Sequence, residues 1–126
     1  MRAVDTNVLV RLLVRDDARQ AAAADRYISN GAWVSKVVLV EAVWVMGTTL
    51  GLDPVALARA IQMVLEHEHL TLEDSDTVAA ALAQFRKHPG LGFGDCLILE
   101  IARKAGHLPL GTFDRRLAKL DGAEHV

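Results

Sequence analysis

The first thirteen residues, "MRAVDTNVLVRLL" (1–13), place a carboxylate between two apolar segments. Residues 3–4 indicate the end of a short buried strand, and residues 7–15 have the apolar spacing of a helix. Asp5 therefore lies between a predicted strand and a predicted helix. An ionised group between two apolar segments is costly to bury, so its presence calls for an explanation. An Asx-turn is one possible reason, and a place in a functional site is another.

The composition describes a chain that can build one hydrophobic core. It has 126 residues, of which 52% are apolar, so we expect a single domain over residues 1–126. The longest uncharged stretch, residues 42–52, is too short to cross a membrane. The single cysteine, Cys96, excludes an internal disulfide, and we expect it to serve buried packing rather than to act as a nucleophile. Such cysteine usage fits a reducing, cytoplasmic environment.

Short apolar strands alternate with helices along the whole chain. This alternation is typical of a parallel sheet covered on both faces, so we predict one α/β domain without linkers or repeats. The strands are predicted at residues 3–4, 32–35 and 70–72 and within 108–114, and the last residues add a fifth. The helices are predicted at residues 7–15, 17–30, 36–50, 53–67, 75–88 and 95–106, with a short one from residue 114.

Four acidic residues do not read as ordinary surface. Asp5 and Asp114 each follow a predicted strand, and Asp95 begins a predicted helix. Glu41 lies inside "VVLVEAVWV" (37–45), where its neighbours three and four residues away are apolar. We expect this glutamate to face inward. A buried, ionised carboxylate is costly unless a positive charge compensates for it. Asp95 and Asp114 remain open as plain helix N-caps.

Topology suggests a common location for these four acids. In open α/β sheets, sites form beyond the carboxyl ends of the strands, so we expect Asp5 and Asp114 to reach one crevice. The side chains of Glu41 and Asp95 would reach the same crevice from their helices. Carboxylates that close repel one another unless cations bridge them, and oxygen ligands favour Mg²⁺ or Mn²⁺ over zinc. We therefore predict a metal site, and two bound divalent ions would reverse the formal net charge of −2.

Four stretches, in order along the chain, resemble the motifs of PIN-domain ribonucleases. They are "VDTNVLVRLL" (4–13), "SKVVLVEAVWVM" (35–46), "GFGDCLILEIARKAG" (92–106) and "LGTFDRRL" (110–117). Within that superfamily the chain is most similar to VapC-like toxins of type II toxin–antitoxin systems. The resemblance implies a PIN-like three-layer α/β fold, with a short parallel sheet of four or five strands in the order 3-2-1-4-5 and about seven flanking helices.

The resemblance also implies an activity, a metal-dependent endoribonuclease that hydrolyses RNA phosphodiester bonds with a metal-activated water. Thr112 would be an accessory hydroxyl near the scissile phosphate, and Asn7 would support the first aspartate. An RNA substrate, a cognate antitoxin and a homodimer are implied as partners. The apolar segments 41–50 and 55–65 could serve dimer contacts and an antitoxin groove, and core packing alone is the alternative explanation of their apolar character. The catalytic set that binds Mg²⁺ or Mn²⁺ would be Asp5, Glu41, Asp95 and Asp114.

Contacts to RNA are expected from basic residues, because affinity for nucleic acid rests on phosphate contacts. A solvated helix face explains any one of the candidates equally well. Aromatic stacking on bases should be minor, since Trp33, Trp44 and Phe85 are placed like core residues. The candidates are Arg11, Arg15, Arg86, Lys87, Arg115 and Arg116.

Two other functions remain open at this point. A receiver-like phosphoacceptor domain is also a parallel α/β fold with clustered acids, although it should carry paired acids near the first strand and a lysine directly after a late strand. A PIN-like module that binds RNA or a protein without cutting is the second. Sensitivity of RNA cleavage to EDTA would separate a nuclease from either.

Overall fold

The structure, a computed structural model, describes residues 1–126 and confirms the α/β class. None of the helices has the length and hydropathy needed to span a bilayer. The strands β1 to β5 are Arg2–Ala3, Ala32–Val34, Leu70–Leu72, Leu110–Thr112 and Ala123–His125. The helices α1 to α6 are Thr6–Val14, Ala18–Ile28, Lys36–Thr48, Pro54–Glu66, Ser75–Lys87 and Phe93–Ala105, and a 3-10 helix covers Leu117–Lys119.

Side-chain caps set the start of the first four helices. Asp5 accepts a hydrogen bond from the backbone N–H of Val8 at 3.1 Å and so caps α1. Asp17, Ser35 and Asp53 do the same for α2, α3 and α4. These residues satisfy N–H groups that the helix itself leaves without acceptors. The helix starts predicted at Ser35 and Asp53 are therefore confirmed. The sequence left the second helix open between Asp16 and Asp17 as cap residues, and the structure selects Asp17.

The chain divides into two compact units, and the first is Met1–Ser75. Its sheet has the strand order β1-β2-β3, with both pairings parallel. Helix α1 packs against α2 and α3, and α4 packs against α3 and β3. The centre of this unit is apolar and fully buried, and its largest side chains are Leu9, Ile28, Leu39, Met46 and Ile61.

The second unit is Asp76–Val126. Here β4 and β5 form a parallel two-stranded sheet, and both strands contact the 3-10 helix. Helices α5 and α6 supply most of the buried apolar side chains, among which Val78, Cys96, Leu97 and Leu99 are almost entirely inaccessible to solvent. Whether residues 1–126 act as a single domain stays a prediction.

The predicted strand order needs one correction. Hydrogen bonds join the strands into two sheets, β1-β2-β3 and β4-β5, rather than one sheet of order 3-2-1-4-5. Strand β1 has only two residues, which pair with Ala32 and Trp33 of β2, so it offers very little further edge. Within each sheet the predicted neighbours are present, and six α-helices plus one 3-10 helix agree with the predicted number.

Two of the three aromatic residues predicted to lie in the core are exposed. Phe85 is buried as expected, but Trp33 is 38% exposed and Trp44 is 65% exposed. Trp33 points away from the face on which its strand neighbours are buried. Helix α3 is apolar on nearly every side, so composition alone could not show that Trp44 lies on its outer face.

Candidate functional site

Asp5 combines a structural role with a free oxygen. Its Oδ1 accepts the N–H of Val8 at 3.1 Å, three residues on, so its local role is that of the α1 N-cap and not the Asx-turn that the sequence left open. Its Oδ2 accepts no hydrogen bond within the chain, and the side chain is exposed. One oxygen of the carboxylate therefore remains available to a ligand. Asn7, the expected supporting residue, lies exposed in the first turn of α1.

Glu41 is exposed, so the expectation that it faces inward is wrong. Its neighbours on the same side of α3, Val37 and Trp44, are 74% and 65% exposed. The buried side of this helix is formed instead by Leu39, Ala42, Val43 and Met46. The carboxylate of Glu41 is consequently solvated and needs no cation to compensate for burial. It lies on a helix that packs against α1, the helix capped by Asp5.

Asp95 lies inside the first turn of α6 and is not its N-cap. The helix begins at Phe93, and Gly92 occupies the cap position without a side-chain hydrogen bond. The capping interpretation is therefore wrong for this residue. Burial, and secondly the charge of Asp114, raise the pKa of the Asp95 carboxyl group.

Asp114 follows β4 and organises the turn that leads into the 3-10 helix. Its Oδ1 accepts the backbone N–H groups of Arg116 at 2.8 Å and Leu117 at 3.1 Å. The N-cap position of the 3-10 helix is Arg116, so the interpretation of Asp114 as a plain N-cap is wrong. Its own backbone N–H donates to Oγ1 of Thr112 at 3.0 Å. Thr112 thereby positions the main chain at Asp114 and keeps its hydroxyl proton free to donate elsewhere.

The pair of Asp95 and Asp114 fits a divalent cation in its chemistry. Each carboxylate offers oxygen ligands only, and the charge of one disfavours ionisation of the other. A hard cation such as Mg²⁺ would relieve that repulsion. No group of three or more His, Cys, Asp or Glu side chains is gathered closely enough in the structure to hold a metal ion. The gathering of all four acids stays a prediction.

Sequence reasoning missed a buried ion pair on α6. Glu100, which reads as solvated surface, is only 7% exposed, and its Oε2 accepts Nε–H of Arg103 at 2.9 Å. A signal for burial was present, because Cys96 and Leu97, four and three residues earlier, are apolar and share its side of the helix.

A second missed feature holds the start of α3. The backbone N–H of Lys36 donates to Oε1 of Glu73 at 2.9 Å, and its Nζ donates to Oδ2 of Asp74 at 3.1 Å. Asp74 has a φ of +54°, a left-handed conformation that an aspartate tolerates better than most residues. Both acids read as helix-start or surface residues in the sequence, since nothing local indicates a partner thirty-seven positions away.

The candidate RNA-binding residues fall into two classes. Nη1 of Arg11 donates to Oδ1 of Asp16 at 2.7 Å. Arg15 makes a bidentate contact with Asp25, from Nη1 to Oδ1 at 3.0 Å and from Nη2 to Oδ2 at 2.7 Å. These pairs engage both of the candidate arginines in the first unit. The remaining candidates are all exposed and lie in the second unit; they are Arg86, Lys87, Arg115 and Arg116.

Comparison with known proteins gives one family. The family model described as "PIN domain" matches residues 2–123, a range that includes all four acids. No curated protein and no solved structure gives a significant match. PIN domains are in general metal-dependent nucleases that bind nucleic acid. Since the match covers nearly the whole chain, this chain belongs to the PIN domain family.

Proposed function

We propose that this chain is an endoribonuclease that hydrolyses RNA phosphodiester bonds and depends on Mg²⁺ or Mn²⁺. The observation that carries the proposal is the match of residues 2–123 to the PIN domain family, whose members are in general nucleases. The carboxylates of Asp95 and Asp114 support it, because the charge of Asp114 contributes to the raised pKa of Asp95. The choice of RNA and of these two ions rests on the resemblance of the four motifs to PIN-domain ribonucleases.

We assign metal binding to the acidic set Asp5, Glu41, Asp95 and Asp114. A divalent ion bound to them would lower the pKa of an attacking water and stabilise the negative charge that develops on the phosphoryl oxygens. Thr112 has a free hydroxyl proton that can be donated to a phosphate oxygen, because its own oxygen already accepts the N–H of Asp114. Asn7 supports Asp5 from the first turn of α1.

A cleavage assay with matched variants tests this function. Purified protein is incubated with mixed RNA and Mn²⁺, with and without excess EDTA, as the wild type and as the variants Asp95→Asn and Glu68→Gln. Glu68 is the control because its side chain is 83% exposed and lies outside the acidic set. We expect EDTA and Asp95→Asn each to abolish cleavage, whereas Glu68→Gln retains it. Full activity in folded Asp95→Asn would overturn the assignment.

The same assay separates the nuclease from its rivals. A non-catalytic PIN-like module would bind the RNA and leave it intact with either metal. A receiver-like domain would instead become labelled by a small phosphodonor. Neither rival predicts products whose appearance depends on a divalent cation.

We further propose that the nuclease is the toxin of a toxin–antitoxin pair, that it forms a homodimer and that it acts in the cytoplasm. Support comes from the motif resemblance and from exposed apolar side chains on α3 and α4. The exposed fractions of these side chains lie between 46% and 74%, and exposed apolar groups of this kind are candidates for a protein–protein interface; the residues are Val37, Trp44, Val55 and Met63. Light scattering of the wild type and Trp44→Lys tests the dimer. Arrest of bacterial growth by the wild type, but not by Asp95→Asn, tests the toxin role.

A further inference from the structure

We propose that a basic pocket in the second unit binds a backbone phosphate of the RNA strand that the nuclease cleaves. The inference rests on the proposed ribonuclease function and adds to it a site outside the acidic set. The basic pocket has a volume of about 320 Å³ and is lined by His88, Gly90, Leu91, Arg116, Lys119 and Leu120.

The lining of the basic pocket suits an anion. Three of its six residues, His88, Arg116 and Lys119, carry side-chain N–H donors, and none is acidic. Its apolar wall is formed by Leu91 and Leu120, which are only 5% and 6% exposed. The side chains of His88, Arg116 and Lys119 are themselves exposed, so a phosphate can reach them from solvent.

The cations of the basic pocket are not engaged by carboxylates. Neither Arg116 nor Lys119 forms an ion pair, and the guanidinium of Arg116 makes only a long contact, 3.4 Å from its Nη1 to the carbonyl oxygen of Gly90. Arg11 and Arg15, in the first unit, are both paired with aspartates. Among these candidates, Arg116 is therefore available to meet a phosphate, together with Lys119.

A glycine gives the arginine its position. A Cβ atom at Gly90 would lie 3.2 Å from Nη1 of Arg116, closer than an ordinary van der Waals contact. The missing side chain therefore lets the guanidinium lie against the backbone at Gly90.

The basic pocket adjoins the acids of its own unit. Arg116 donates its backbone N–H to Oδ1 of Asp114, so the turn that places the carboxylate also places the guanidinium. Gly92, just beyond the pocket, lies where an added Cβ would be 3.9 Å from Oδ2 of Asp95. A strand with one phosphate at the acids would thus have a neighbouring phosphate at the cations. The positive charge of these cations offsets the repulsion between the RNA strand and the carboxylates.

RNA binding without metal tests the basic pocket directly. The probe is a fluorescent single-stranded RNA oligomer, whose dissociation constant is measured by anisotropy in EDTA over a range of salt concentrations. The test variant is Arg116→Gln with Lys119→Gln. The control is Arg26→Gln with Arg59→Gln, which removes the same charge from exposed helix positions in the first unit.

We expect the pocket variant to raise the dissociation constant about tenfold for each phosphate that it no longer binds. The slope of log affinity against log salt should also fall by about 0.7 for each such phosphate, as for single strands. The control should change both quantities much less. Equal changes in the two double variants would overturn the proposal, because they would show that net charge alone matters.

Competition identifies the ligand. Inorganic phosphate should displace the oligomer weakly, since it replaces one phosphate of several, and an acidic peptide should displace it no better. Displacement by either one at the oligomer's own affinity would overturn the assignment to RNA.

Pocket-dependent binding without any cleavage would disprove the ribonuclease and leave the phosphate site. Cleavage together with equal salt slopes in the two double variants would disprove the phosphate site and leave the ribonuclease.

Discussion

Arg103 turns back along α6 to the buried carboxylate of Glu100, with 2.9 Å between Nε and Oε2. Its Nη2 donates to the carbonyl oxygen of Asp121 at 2.6 Å. The glutamate side chain is 8% exposed and the arginine side chain 35%. One guanidinium therefore satisfies a buried charge and ties α6 to the segment that precedes β5.

Replacing Arg103 by methionine should lower the free energy of unfolding by about 1.5–3 kcal/mol, because the carboxylate of Glu100 stays buried without its charged donor. Urea denaturation followed by circular dichroism measures the change. The control, Arg59→Met, removes an exposed arginine and should fall within about 0.5 kcal/mol of the wild type. A loss no larger than that of the control would contradict the role given to this pair.

Gly122 should resist substitution for two separate reasons. Its φ is +93°, and a Cβ there would lie 3.0 Å from Nη2 of Arg103. Gly106 has a similar φ of +81° with no atom near its missing Cβ, so Gly106→Ala measures the backbone strain alone. We expect both variants to lose about 1 kcal/mol through strain and Gly122→Ala to lose more. Equal melting temperatures would show that the guanidinium simply moves aside.

The thiol of Cys96 should be inert in the folded chain. It is completely buried, and that burial, with the charges of Asp95 and Glu100, raises its pKa to about 11. Since the thiolate is the reactive form, a disulfide reagent at neutral pH should modify Cys96 only as fast as the chain unfolds. Adding urea should accelerate the reaction. Rapid modification without urea would mean that α6 opens locally.

Removing the charge of Asp114 should lower the pKa of Asp95 without restoring its ordinary value, because burial is the larger cause of the shift. Carboxyl carbon NMR of metal-free wild type and Asp114→Asn measures the two titrations. The folded chain holds this proton more tightly than the unfolded chain does. Asp95 therefore favours folding below the ordinary aspartate pKa, and the contribution is lost as pH rises through the raised pKa. An unchanged titration would place the two carboxylates too far apart to share a cation.

Local signals in the sequence were enough to find the elements. Helix starts could be predicted because an N-cap side chain bonds to a backbone N–H at most three residues away. The three examples are Asp17, Ser35 and Asp53. The alternation of short strands and helices predicted the α/β class for the same reason. The two acids that follow strands, Asp5 and Asp114, also lie where the pattern put them.

Side-chain environment was harder to predict, because it depends on partners distant in the sequence. The exposed position of Glu41 could not be predicted from a helix that is apolar on every side. The burial of Glu100 had a local signal in Cys96 and Leu97, but the bond from Arg103 to the carbonyl oxygen of Asp121, eighteen residues after the arginine, had none. The basic pocket joins the residues around Gly90 to those around Lys119, and no periodic pattern connects them.

The two bonds that Lys36 makes to Glu73 and Asp74 have a consequence for redesign of this chain. The first turn of α3 is fastened to the short connection between β3 and α5, so inserting or deleting a residue there would rotate or release the helix that carries Glu41. Grafts and insertions at that connection should therefore disturb the glutamate although it lies far away in the primary structure.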